Sequence, residues 1–284
     1  MRLLILGGSG MLGHQLWRGL HERHEVWVTL RRPFTDFAQH QLFDPARSIQ
    51  VDDITDDAAL GQALGQAQPE AVINCVGLIK QHNQARDKAL MRRINAEFPH
   101  RLAKQCAALG ARLIHFSTDC VFAGTKGNYT EADPADATDL YGQTKRAGEV
   151  TEPHCVTIRS SVIGHEIDSR LALVGWFLSQ QGRTIRGFTR AIYSGLTTLE
   201  MARVIERILI DHPTLSGLWQ VASEPISKFD LLKLCQAKLS WEGTIEPDDS
   251  FVCDRSLDGA RFNQETSYRP PSWEAMITEL AEAE

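Results

Sequence analysis

The chain has 284 residues, 43% of them hydrophobic, and a formal net charge of −6. That is apolar material for one large α/β domain, or for a domain with a smaller lobe. No run of 18 apolar residues occurs, which argues against a membrane-spanning helix, and no long basic block occurs, which argues against nucleic acid as a partner.

In chain order, residues 3–6 read as a first strand that runs straight into glycines, so the N-terminus is expected to be a strand rather than an export signal. A helix follows over 11–21, a strand over 26–30, a helix over 57–65 and a buried strand over 71–76. A long helix is expected over 87–109, ended by Gly110, then a strand over 112–117, a helix over 140–150 and a strand over 155–160. Fully apolar strands separated by helices imply a doubly wound parallel sheet of the Rossmann kind. After Ile163 the rhythm changes. Helical patterns at 170–181, 198–211, 228–239 and 272–283 alternate with short strand-like pieces such as "LWQVAS". The expected division is a dinucleotide-binding domain over 1–164 and a mainly substrate-binding lobe over 165–284, with some later strands free to return to the first sheet. The six cysteines form no CxxC pair and no zinc-spaced group, so the expectation is no metal and reduced thiols in a cytoplasmic protein.

The first strand ends in "GGSGMLG", in which Gly7, Gly10 and Gly13 are spaced GxxGxxG, with Met11 and Leu12 opening the helix. Such a turn lets the backbone approach a pyrophosphate while the helix offers its N-terminal amides. Arg31 and Arg32 follow the second strand, where an acid would suit a ribose 2′-hydroxyl. Arginine suits a 2′-phosphate instead, so NADP(H) is expected over NAD(H). Asp53 and Ile54 are placed to meet the adenine end, and "NCVG" (Asn74, Cys75, Val76 and Gly77) closes a strand where the cofactor passes near the chain.

"LYGQTKRAGEV" places Tyr141 and Lys145 one helical turn apart, a spacing that by itself is only a polar helix face. The whole stretch "LIHFSTDCVFAGTKGNYTEADPADATDLYGQTKRAGEV", with "IRSSVIG" and "SGLTTLEMARVI" beyond it, resembles the extended short-chain dehydrogenase/reductases. Within them it is most similar to the dTDP-4-dehydrorhamnose reductase family. The resemblance implies a catalytic triad of Thr118, Tyr141 and Lys145, a substrate-binding set of Thr118, Asp119, Cys120 and Tyr141, and a role for Lys145 on the nicotinamide ribose. It also implies a supporting place beside the cofactor for Asn95. The chemistry is consistent. An ammonium near a phenol lowers its pKa, a tyrosine can protonate a ketone oxygen, and a threonine hydroxyl can stabilise the developing charge.

Two departures bear on substrate. The rhamnose-forming relatives commonly have tyrosine where this chain has Cys120, and the related dehydratases have Asp-Glu after the threonine where this chain has Asp119 and Cys120. Dehydration is therefore disfavoured. In the C-terminal half Arg170, Arg183, Lys228 and Arg255 are candidates for a diphosphate, and Trp176 and Phe177 for stacking or packing. The resemblance implies an NADPH-dependent reductase of a nucleotide-activated 4-keto-6-deoxysugar, monomeric or homodimeric. The alternatives are a nucleotide-sugar epimerase and a non-catalytic NADP-binding regulatory protein.

Overall fold

The structure is a computed structural model that describes residues 1–80 and 83–283. Its first half contains β1 (Arg2–Leu6), α1 (Met11–Leu20), β2 (Glu25–Leu30), β3 (Ser48–Gln50), α2 (Asp57–Ala67), β4 (Ala71–Asn74), α3 (Lys88–Arg92), α4 (Phe98–Leu109), β5 (Arg112–Phe116), α5 (Leu140–Ala147) and β6 (Cys155–Arg159). There follow β7 (Val162–Ile163), α6 (Leu173–Leu178), β8 (Thr184–Phe188), β9 (Ala191–Tyr193), β10 (Leu196–Thr197), α7 (Thr198–Ile210) and β11 (Gly217–Gln220). The chain closes with β12 (Ile226–Ser227), α8 (Lys228–Lys238), β13 (Thr244–Asp248), β14 (Cys253–Asp254), α9 (Ala260–Thr266) and α10 (Trp273–Glu282).

The main sheet has seven strands in the order β11-β6-β5-β4-β1-β2-β3, every neighbouring pair parallel. Its strands are apolar on both faces because both faces are covered. In β1, Leu3 and Ile5 join the core beneath α1 and α7, whereas Leu4 and Leu6 join the core beneath α2 and α4. This is the period of two expected of a pleated strand.

Residues on both sides of position 165 build this body. β11 pairs beyond β6, and α7 packs on α1, where Gly19 faces Ala202. The remaining short strands form a β7–β10 pair, a β8–β13 pair and a β12-β9-β14 sheet. Of these, the strands of two or three residues carry too little periodicity to be read from sequence, whereas β8 and β13 have five residues each. The helix expected over 170–181 is confined to Leu173–Leu178; Ala172 before it is extended, and Glu166 accepts the Ala172 amide. Among the described residues no helix is long and apolar enough to cross a membrane.

The long helix expected over 87–109 is not uniform. Asp87 caps its start by accepting the amides of Ala89 and Leu90, and between α3 and α4 the residues Arg93–Glu97 form a π turn. Pro99 contributes no N–H to the carbonyl of Asn95, so the regular ladder is interrupted there.

Candidate active site

The glycine loop is shaped for a phosphate. Gly7 has φ +80°, and a Cβ at Gly13 would lie 2.2 Å from the Gly7 carbonyl oxygen, so neither position tolerates a side chain without movement. The Gly7 amide is held by Thr29 Oγ1 at 3.0 Å, which ties the loop to β2. Gly10 caps α1 without a side-chain hydrogen bond, and the first turn has no acidic residue. The amides over Met11 and Leu12 therefore meet no competing carboxylate, and the residues fit the diphosphate of a dinucleotide.

At the end of β2, Arg31 and Arg32 are exposed. Arg32 is ion-paired with Asp168, lies 3.8 Å from Asp36, and stacks over Phe37 at 4.7 Å. Asp53 is tied to Thr55 through both its amide (2.9 Å) and its hydroxyl (2.6 Å), and Arg93 lies 3.2 Å away. Ile54 packs against the core beneath α2.

Asn74 ends β4 with its amide toward His115 Nδ1 (3.1 Å) and its carbonyl accepting from Val76 (3.1 Å). The chain at Cys75 and Val76 lies against Gly7, and burial raises the Cys75 thiol far above its ordinary value. Asn95 is 1% exposed and forms a reciprocal pair with Leu78, accepting its amide at 2.8 Å and donating to its carbonyl at 2.9 Å. The π turn brings this asparagine to the main chain just past Gly77, where it holds the loop.

Thr118 stands just past the carboxyl end of β5. Its Oγ1 donates to Asp119 at 3.0 Å and accepts the Cys120 amide at 3.1 Å. Asp139 caps α5 by accepting the Gly142 amide. A Cβ on Gly142 would lie 2.2 Å from the Cys120 carbonyl oxygen, so glycine beside Tyr141 is what lets α5 press onto the Thr118–Cys120 turn. Tyr141 is thereby carried to the Thr118 side chain, which acts on its phenol.

The sequence expectation for the phenol needs correction. Burial, then the charges of Cys120 and Asp119, raise the Tyr141 pKa above its ordinary value, and the bond with Thr118 opposes this only in part. The Lys145 Nζ donates instead to the Phe116 carbonyl at 2.5 Å. A different ammonium, that of Lys80, lies over the Tyr141 ring at 5.4 Å. Burial lowers Lys145 to about 8, against the raising influence of Glu149 and Cys75.

Several groups at the site had no individual signal in the sequence. Arg159 on β6 forms a two-pronged pair with Glu149 (2.7 and 2.8 Å), and the same carboxylate accepts from Ser117 at 2.7 Å. Of the C-terminal cations, Arg255 comes to the catalytic turn. Its Nε donates to the Phe122 carbonyl at 2.8 Å, and a guanidinium nitrogen lies 3.6 Å from Cys120 Sγ. Phe177 is fully buried and stacks on Trp241 at 4.6 Å, so it packs, while Trp176 stays partly exposed. Arg170, Arg183 and Lys228 are not joined to the triad by any contact described.

A seven-stranded parallel sheet of order 3-2-1-4-5-6-11, a glycine cradle after β1 and a Thr-Tyr-Lys set beside β5 define an extended short-chain dehydrogenase/reductase. The sequence model of the RmlD substrate binding domain matches residues 1–173, and the chain belongs to that family. It is 36% identical over 149 residues to a dTDP-4-dehydrorhamnose reductase of Streptomyces griseus, a match covering 52% of this chain and 43% of that protein. It is 30% identical over 155 residues to methionine adenosyltransferase 2 subunit beta of Bos taurus, covering 52% and 41%. The matched segment thus spans less than half the length of these curated relatives. Among solved structures, the dTDP-4-dehydrorhamnose reductase of Bacillus anthracis in complex with NADP superposes with TM-score 0.81, at 20% identity and over 100% of this chain and 99% of that one.

Proposed function

We propose that the protein is an NADPH-dependent reductase of a nucleotide-activated 4-keto-6-deoxysugar, serving deoxysugar or surface-polysaccharide synthesis in the cytoplasm as a monomer or homodimer. The observation that carries this reading is the placement of Thr118, Tyr141 and Lys145 at the carboxyl edge of the sheet, beside a glycine loop open to a diphosphate. The likeness to a reductase of that name, and to one solved with NADP, supports it.

Gly7, Gly10, Met11, Leu12 and Gly13 would hold the diphosphate, Arg31 and Arg32 the 2′-phosphate, and Lys145 the nicotinamide ribose. When bound, the reduced nicotinamide supplies the hydride. Tyr141, kept protonated by burial, hands its proton to the ketone oxygen, so the carbonyl becomes an alcohol and the tyrosine a phenolate. Thr118 donates a hydrogen bond to the same oxygen as charge develops on it. Lys145, on the same helix one turn on, would stabilise the phenolate by its charge once the proton has left, and water would return the proton.

The likeness to methionine adenosyltransferase 2 subunit beta keeps a second reading in view, that of an NADP-binding regulatory subunit. The complete Thr118, Tyr141 and Lys145 set favours the enzyme. A panel of dTDP-, UDP- and GDP-linked 4-keto-6-deoxysugars, followed by NADPH oxidation and product mass, decides. Stoichiometric NADPH consumption with a gain of two hydrogens is expected. Epimerised product without net consumption, or loss of water from a nucleotide hexose, overturns the reductase assignment.

A further inference from the structure

Tyr193 on β9 is 8% exposed, and its hydroxyl has no hydrogen-bond partner among the described residues. An unpaired buried hydroxyl is a burden on stability that a phenylalanine would not carry. The fold nonetheless makes room for it. A Cβ on Gly195 would lie 2.3 Å from the Tyr193 hydroxyl oxygen and 2.2 Å from the Ser161 carbonyl oxygen. The hydroxyl is thereby located beside Ser161, just past the carboxyl end of β6. β5 is paired with β6, with Phe116 opposite Ile158, and Thr118 leaves the same edge two residues further on.

Ser161 and Thr118 leave the paired ends of β6 and β5, and Gly142 presses Tyr141 onto the Thr118–Cys120 turn, so two tyrosines from distant parts of the chain come to one corner of the sheet edge. The Cys120 thiol at that corner is a weak donor and already lies beside Arg255. A sugar brought to Tyr141 presents hydroxyls there that need a stronger partner, and a phenol both donates and accepts.

We propose that the Tyr193 hydroxyl is a substrate contact, hydrogen-bonding a sugar hydroxyl and fixing the face of the ketone presented to Tyr141. The proposal rests on the reductase reading and adds to it a residue that sets sugar specificity. The ring itself is held by packing against Trp273, with centroids 5.4 Å apart, so Tyr193→Phe removes the hydroxyl and keeps the wedge.

The test compares wild type and Tyr193→Phe with dTDP-4-dehydrorhamnose and dTDP-4-keto-6-deoxy-D-glucose as substrates. The expected result is a three- to tenfold fall in kcat/KM, roughly the worth of one neutral hydrogen bond, carried mainly by KM. NADPH affinity should stay the same, and the melting temperature of the ligand-free protein should be equal or higher. Unchanged kinetic constants overturn the proposal, as does a lower melting temperature with KM unaltered, which marks a structural hydroxyl. Wild type that oxidises no NADPH with either sugar or with the wider panel defeats the reductase reading itself, a failure distinct from that of Tyr193 alone.

Discussion

Arg32 and Asp168 are 136 positions apart in sequence and ion-paired in the structure, with His40 also reaching the Asp168 carboxylate at 3.2 Å. The pairing holds Asp168 below its usual carboxylate range. A 2′-phosphate arriving at the end of β2 must therefore share Arg32 with a carboxylate. Asp168→Ala is expected to tighten NADPH binding up to about fivefold, since an exposed pair is worth about 0.2–1 kcal/mol, and to leave NADH unaffected. Replacing Arg31 and Arg32 by alanine should do the opposite, weakening NADPH over NADH by on the order of 1.5–3 kcal/mol. Fluorescence titration of the two reduced cofactors measures both; equal changes for NADPH and NADH would refute the 2′-phosphate assignment.

Tyr141→Phe leaves the ring and α5 in place and removes the proton. Turnover should fall by roughly 10²–10⁴-fold with NADPH affinity nearly unchanged. Lys145→Ala should damage both, because its ammonium is assigned to the ribose as well as to the phenolate. Steady-state kinetics and cofactor titration separate the two phenotypes, and near wild-type turnover by Tyr141→Phe on a verified substrate would end the acid-base assignment.

The depressed Lys145 gives a pH signature. Between about 8 and its ordinary 10.5 the folded chain binds fewer protons at this site than the unfolded chain, so the lysine's contribution to stability rises with pH across that window. Cofactor binding has the reverse dependence, because the ribose contact needs the ammonium. NADPH affinity should be flat below about pH 8 and fall above it by up to about tenfold per pH unit, and Lys145→Met should abolish that fall. A profile for wild type that is flat to high pH would remove Lys145 from the cofactor site.

Arg159 and Glu149 form a nearly buried pair beneath the catalytic turn, with side chains 5% and 10% exposed. Arg159→Ala leaves the carboxylate without its partner and is expected to destabilise the protein by about 3–5 kcal/mol. Denaturant unfolding measures this, and Arg159→Lys should recover only part of it because the two-pronged geometry is lost. A cost below about 1 kcal/mol would place the pair among the energetically idle ones.

What the sequence made legible was local. Apolar runs marked all the main-sheet strands of the first half except the three-residue β3, and the spacing of Gly7, Gly10 and Gly13 announced the cradle because each requirement lies within a few residues. The spacing of Tyr141 and Lys145 was equally plain, but not the direction of the ammonium, which donates to the Phe116 carbonyl at the end of β5. The pairs Arg32–Asp168 and Arg159–Glu149, and the return of β11, depend on how distant segments meet, and no period in the sequence encodes that. The π turn was hidden for another reason: residues 87–109 read as one long helix, while the effect of Pro99 falls four residues earlier, at the residue that clamps Leu78.

β11 also bears on how the molecule is made. A ribosome delivers β6 long before residues 217–220, so for that interval the edge of β6 has no neighbour and α1 has no α7 against it. The nascent nucleotide-binding half must wait with an open sheet edge, the kind of surface that recruits other strands. The later segment that supplies β11 and α7 thus completes the sheet begun by residues 1–164, and a fragment ending there is expected to expose the edge of β6.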